Sequence, residues 1–85
     1  HDVKNAKPHP DVYLLAAERM GLPITDCVVV DDSQNGVRAG VASGATTVGL
    51  VDITPAEYLR DAGAHFIAND HKDLHSLFES WITAA

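Results

Sequence analysis

An unbroken run of three valines, Val28 to Val30, leads directly into two adjacent carboxylates, Asp31 and Asp32. β-Branched residues without polar alternation favour a strand that is covered on both faces, as in a parallel sheet. We therefore predict a central strand at 27–31, with a neighbouring strand on each side. A turn is expected at Ser33 to Gly36, because serine, asparagine and glycine are typical turn residues.

Helical and extended patterns alternate along the rest of the chain. Apolar residues at helical spacing and glycine stop signals predict the helices, and β-branched runs predict the strands. Helices are expected at 10–20, 37–43, 55–62 and 72–82, and further strands at 46–51 and 65–68. The order α-β-α-β-α-β-α indicates an α/β fold with a parallel sheet. Because three strands are few for such a sheet, we expect part of it to lie outside these 85 residues.

Composition limits the partners of the chain. The formal net charge of −6 argues against non-specific binding to nucleic acid. No apolar run approaches the roughly 20 residues that span a membrane. The single cysteine, Cys27, excludes an internal disulfide, so we expect a reducing compartment, the cytoplasm. Because the chain begins with His1 rather than Met, we expect it to be a processed product or a piece of a longer protein.

The acidic pair is a candidate metal site. Ligands of open parallel sheets bind outside the carboxyl ends of the strands, where Asp31 and Asp32 are placed. Neighbouring carboxylates repel unless a cation is close, and Mg²⁺ binds one or two carboxylates while leaving positions for water and phosphate oxygens. The alternative is a pair of solvated loop carboxylates that only end the strand.

A lysine held by prolines is the second candidate. Lys7 precedes Pro8, His9 and Pro10, just before the first predicted helix. Its ammonium could offset charge on a phosphoryl group or a nearby carboxylate. The alternative is a solvated lysine in a proline-rich turn.

Taken together, KPHPD and VVVDDSQNG resemble two motifs of the haloacid dehalogenase (HAD) superfamily. The match is to its phosphatase and phosphosugar-mutase branch, including β-phosphoglucomutase-like and phosphoglycolate-phosphatase-like enzymes, and covers about residues 6–51. The resemblance implies a Rossmann-like fold. It implies Asp32 as a direct Mg²⁺ ligand and Asp31 as a ligand or a partner through water. It also implies Lys7 as the catalytic cation that contacts the phosphoryl group, and Ser33 as a residue that orients the loop near the phosphate.

The nucleophilic half of that family's site is absent from the chain. The family carries its nucleophilic aspartate in a DxD motif on an earlier strand, and only six residues precede Lys7. The cap that selects the substrate is absent as well. Residues 1–85 would then be the C-terminal portion of a HAD-like core, with the missing N-terminal half as its partner. The resemblance implies a whole protein that transfers phosphoryl groups of small phosphorylated metabolites through an aspartyl-phosphate, and a chain that is inactive alone.

Two other readings stay open at this point. The fragment could be a non-catalytic HAD-like domain that only binds. VVVDDS also resembles the first strand of a response-regulator receiver domain, although Asp70 and Lys72 are poorly placed for the phosphoacceptor and lysine of that family. Dehalogenation of the HAD type uses no metal, so the acid pair disfavours it.

Two further sets of residues are given structural roles. His71 and His75 have metal-ligand spacing on the last predicted helix, but no third ligand is evident, which favours a solvated helix face. Four aromatic residues are expected to pack in a core or interface; they are Tyr13, Phe66, Phe78 and Trp81.

Overall fold

The structure is a computed structural model that describes residues 9–84, with side chains described as far as Ile82. The helices are α1 (Asp11–Met20), α2 (Gln34–Ser43), α3 (Ala56–Asp61) and α4 (His71–Ala84), and the strands are β1 (Val28–Asp31), β2 (Thr46–Leu50) and β3 (Phe66–Ala68). A 3₁₀ turn, Ile24–Asp26, precedes β1. This order confirms the predicted α/β fold, and no helix of the described part is long and apolar enough to cross a membrane.

The three strands form one parallel sheet in the order β1-β2-β3. β2 is therefore central, and β1 lies at an edge. Val29 of β1 is buried, but Val28 and Val30 are 44% and 36% exposed. Among the described residues, β2 is the one partner strand of β1. The second neighbour expected for the strand at 27–31 falls in the part of the sheet that was expected outside these 85 residues, so it stays a prediction.

Two helices, α2 and α3, pack closely on one face of the sheet around β2. Gly49 of β2 has no room for a side chain, because a Cβ atom there would lie 2.9 Å from the Cβ of Leu59 in α3. α2 packs on the same face, where Val37 joins Leu59 and Ala62 in the buried core. The absence of a side chain at Gly49 thus lets α3 approach β2 closely.

The opposite face of the sheet is covered unevenly. Ile67 packs into the α2–α3 core, so its neighbour Phe66 points to the other face. There Trp81 of α4 contacts it edge to face, with ring centroids 5.2 Å apart. The expected packing role of these two aromatic residues is confirmed. Val28 and Val30 share this face with Phe66 but remain partly exposed at the far edge.

The start of α2 differs from the sequence prediction. The turn residues Gln34 to Gly36 form the first turn of the helix, and only Ser33 lies outside it. Ser33 has an extended backbone, and its hydroxyl accepts a hydrogen bond from the Gly36 N–H at 3.0 Å. Serine favours turns and helix N-caps for the same reason, because its side chain satisfies free backbone N–H groups. The composition of residues 33–36 is therefore compatible both with a turn and with the start of a helix.

Candidate functional site

The two acidic residues lie at the carboxyl end of β1. Asp31 is the last residue of the strand and is half-buried, whereas Asp32 follows it and is exposed. Because the strands are parallel, the residues after β2 and β3 belong to the same edge of the sheet. Asp52 and Asp70 follow those strands and are exposed. Across the described part of the chain, no three histidine, cysteine or acidic residues come together as a metal-binding group.

The Asp31 carboxylate is held by hydrogen bonds at both oxygens. Its Oδ1 atom accepts from the Ser33 backbone N–H at 2.9 Å and from the Ser33 hydroxyl at 2.8 Å. Its Oδ2 atom accepts from the Tyr13 hydroxyl at 2.9 Å. Hydrogen bonds to a carboxylate are stronger than neutral ones, so three of them define one orientation of the group.

The helix α2 begins directly against this carboxylate. A Cβ atom on Gly36 would lie 2.0 Å from the Asp31 Cγ, so only glycine allows the contact. Ser33 joins the two elements, because its hydroxyl donates to Asp31 and accepts from the Gly36 N–H. The negative charge of Asp31 thus lies beside the helix N-terminus, where the helix dipole stabilises it.

Asp32 contrasts with its neighbour. Its carboxylate is exposed and makes no hydrogen bond or ion pair with another described residue. Both of its oxygens can therefore bind a group from outside. The fold has divided the pair into one acid that is held in place and one that faces solvent at the strand tip.

The pair fits a hard divalent cation as part of its coordination shell. Mg²⁺ is bound in proteins through one or two carboxylates, with water or phosphate oxygens at the other positions. Asp32 can supply a direct ligand. Oδ1 of Asp31 already accepts two hydrogen bonds, so Asp31 can contribute only through Oδ2 or through a water molecule. Because the site offers only two carboxylates, most of the coordination positions of the cation would be filled by water, phosphate oxygens or other groups.

The other predicted site residues differ in what the structure says of them. Lys7 lies outside the described residues, so its predicted contact with phosphate stays a prediction. Ser33 does connect Asp31 to α2, and its predicted proximity to phosphate also stays a prediction. His75 forms an ion pair with Glu79 one helical turn away on α4. His71 is exposed on the same helix.

Sequence reasoning missed two residues of the site. Tyr13 was expected to pack as an aromatic residue, yet its hydroxyl is bonded to Asp31, 18 residues away in the chain. Gly36 was expected in a turn, yet it lies in the first turn of α2, where its lack of a side chain leaves room for the Asp31 carboxylate. A serine followed three residues later by glycine after a strand hinted at a helix cap. No local signal pointed to Tyr13, because its contact depends on how α1 packs beside β1.

Comparison with known proteins places these features in a family. A model of haloacid dehalogenase-like hydrolases matches residues 1–44. Phosphoglycolate phosphatase of Escherichia coli strain K12 is 51% identical over 49 residues, which are 58% of this chain and 19% of that protein. A β-phosphoglucomutase candidate from Bacteroides vulgatus superposes with a TM-score of 0.89 at 30% identity, covering 98% of this chain and 35% of the other.

A second solved structure is similar as well. It is a HAD family hydrolase from Deinococcus radiodurans that was solved with bound phosphate and sodium. Its TM-score is 0.83 at 36% identity, and the match covers 89% of this chain and 35% of the other. The chain thus spans about a third or less of the proteins that it matches. Since the family model matches more than half of its residues, the chain belongs to the haloacid dehalogenase-like hydrolases, in the branch of the phosphoglycolate phosphatases and β-phosphoglucomutase-like proteins.

Proposed function

We propose that this chain supplies the metal-binding acids and the lysine of a Mg²⁺-dependent phosphatase or phosphomutase that acts on small phosphorylated metabolites. One observation carries the proposal. The exposed carboxylate of Asp32, which binds no described residue, stands beside the hydrogen-bonded Asp31 at the carboxyl end of a parallel strand. The names of the relatives support the substrate class, because phosphoglycolate phosphatase acts on a small phosphate ester.

Each residue has a separate part in this proposal. Asp32 binds the cation directly, and Asp31 orients it through Oδ2 or through water. Ser33 keeps Asp31 and the start of α2 together. Lys7 provides a positive charge for the phosphoryl oxygens. Bound Mg²⁺ supplies charge neutralisation at the phosphoryl group, which is the main requirement of such reactions.

The nucleophile comes from another part of the protein in this proposal. An aspartate on the missing N-terminal half of the core attacks the phosphorus atom, the bond to the substrate oxygen breaks, and an aspartyl-phosphate forms. Water or a second hydroxyl then receives the phosphoryl group. The free edge of β1 offers a place for that half beside the acid pair. The free thiol of Cys27 would suit a reducing compartment such as the cytoplasm.

Substitution of Asp32 tests the proposal in the full-length protein. Asp32→Asn keeps the size of the side chain but removes its charge, so Mg²⁺-dependent hydrolysis of p-nitrophenyl phosphate should fall at least about 100-fold. Asp26→Asn is a matched control, because Asp26 is an exposed aspartate just before β1, at the opposite end of the strand. Wild-type activity in Asp32→Asn, or phosphatase activity of the 85-residue chain by itself, would contradict the proposal.

A further inference from the structure

The hydrogen bond from Tyr13 is the one contact among the three described donors to Asp31 that comes from a distant element. Both bonds to Oδ1 come from Ser33, two residues further along the chain. The bond to Oδ2 comes from the first turn of α1, before the 3₁₀ turn and β1. The two bonds from Ser33 reach only Oδ1 of the carboxylate. The Tyr13 hydroxyl fixes the second oxygen.

That second oxygen is the one that matters for a cation. Oδ1 is occupied by two donors, so any ligand or water molecule that Asp31 binds must use Oδ2. The Tyr13 hydroxyl bonds to Oδ2, so it limits the directions from which a cation or its bound water can approach that oxygen. Tyr13 therefore affects the geometry of the site without needing to contact a ligand itself.

We propose that Tyr13 is a positioning residue, which holds Oδ2 of Asp31 in the orientation that the cation or its bound water requires. This inference rests on the proposed function. It also connects the two motifs of the chain, because Tyr13 lies six residues after Lys7 and contacts the acid pair. A movement of α1 would therefore change the bond that Tyr13 makes to Asp31.

The alternative is a purely structural bond that fastens α1 to β1. The two roles differ in what the loss of the hydroxyl should change. A structural bond would affect the melting temperature and leave the affinity for the cation unchanged. A positioning bond would weaken cation binding even where the protein remains folded, because the partners that orient ligands typically contribute about 10- to 100-fold to metal affinity.

The test is the substitution Tyr13→Phe in the full-length protein. The aromatic ring remains to fill its half-buried place, and only the hydroxyl is lost. Binding of Mg²⁺ is measured without substrate, by competition with Mn²⁺, whose free ion is counted by electron paramagnetic resonance. We expect the dissociation constant for Mg²⁺ to rise about tenfold. kcat at a fixed low Mg²⁺ concentration should fall, and saturating Mg²⁺ should restore much of it.

Two further variants make the result decisive. Tyr58→Phe is the matched control, because Tyr58 is 47% exposed on α3 and its hydroxyl bonds to no described residue. It should leave both the Mg²⁺ affinity and kcat unchanged. In an Asp31→Asn background, Tyr13→Phe should weaken Mg²⁺ binding by less than about twofold, because the residue through which it acts has already been altered.

The outcomes separate this inference from the proposed function. If Asp32→Asn abolishes Mg²⁺ binding while Tyr13→Phe leaves it within twofold of wild type, the metal site stands and the role of Tyr13 is wrong. If Asp32→Asn binds Mg²⁺ normally, the proposed function fails, whatever Tyr13→Phe does. A tenfold loss for Tyr13→Phe that persists undiminished beside Asp31→Asn would also overturn the inference, since Tyr13 would then act by another route.

Discussion

The contact between Gly36 and Asp31 shows how strongly one residue can constrain this site. Glycine is a poor helix former, about 1 kcal/mol less favourable than alanine in a helix interior. It nevertheless occupies the first turn of α2, because a carboxylate lies where its side chain would be. Despite its lower helix propensity, glycine is required at this position because the Asp31 carboxylate approaches the helix N-terminus there. The glycine therefore belongs to the candidate site even though it has no side chain.

Replacing that glycine should damage both stability and the site. In Gly36→Ala, the new Cβ would overlap the Asp31 carboxylate, so the acid must rotate or the helix must shift. Overpacking of this kind costs about 1–3 kcal/mol, and better helix propensity returns at most about 1 kcal/mol. We expect the free energy of unfolding to fall by about 1–2 kcal/mol, measured by chemical denaturation of the full-length protein.

The neighbouring residue provides the comparison. Asn35→Ala leaves a methyl group in the same turn and removes only the long, exposed bond that Asn35 accepts from Arg38 at 3.5 Å, so stability should change by less than about 0.5 kcal/mol. Mg²⁺ affinity should fall only in Gly36→Ala. If Gly36→Ala proved as stable as wild type with unchanged Mg²⁺ binding, the packing of Asp31 on α2 would be wrong.

At the scale of elements, sequence patterns predict where helices and strands lie in the chain better than they predict how these elements pack together. Helical periodicity and the Gly21 stop placed α1 at 10–20, and the structure has it at 11–20. The central position of β2 is instead a matter of pairing with β1 on one side and β3 on the other, and the contact of Gly49 with Leu59 forms only after α3 has packed on the sheet. The bond between Tyr13 and Asp31 is non-local for the same reason. Sequence patterns report local preference and burial, so they found the acid pair but not the groups that hold it.

The packing of α3 on β2 gives a prediction at this scale. Leu59 is fully buried and touches the space left by Gly49, so Leu59→Ala would open a cavity at the centre of the sheet. Leucine-to-alanine changes in a core cost about 2–5 kcal/mol. Ile53→Ala is the control, because Ile53 is 92% exposed and its loss should cost less than about 0.5 kcal/mol. Equal midpoints for the two variants in urea would contradict the packing of Leu59 on β2.

At the scale of the whole molecule, the main feature is the outer edge of β1, which pairs with no other strand among the described residues. Beside it lies a groove of about 200 Å³, lined mainly by apolar side chains of α1 and β1 that include Ala17, Met20 and Val29. Unpaired backbone groups and partly exposed valines on an edge strand favour pairing with another strand. This edge also carries the acid pair at its end. A further strand at this edge would satisfy the unpaired backbone groups and would lie beside the acid pair, as the proposed function requires.

Hydrogen exchange can test whether a strand pairs there in the full-length protein. The Cys27 carbonyl accepts a bond from the Thr46 N–H, so Cys27 faces β2. Backbone groups alternate along a strand, which directs the amide of Val29 to β2 and the amides of Val28 and Val30 to the free edge.

In the 85-residue chain, the amides of Val28 and Val30 should exchange quickly while that of Val29 is protected. In the full-length protein, a strand paired with β1 would give them hydrogen-bond partners, so their exchange should slow at least about tenfold. Val29 is the internal control, because β2 protects it in both proteins. NMR of the two proteins under identical conditions gives all three rates. If Val28 and Val30 exchange equally fast in both, no strand pairs with this edge, and the nucleophile must approach the acid pair from another direction.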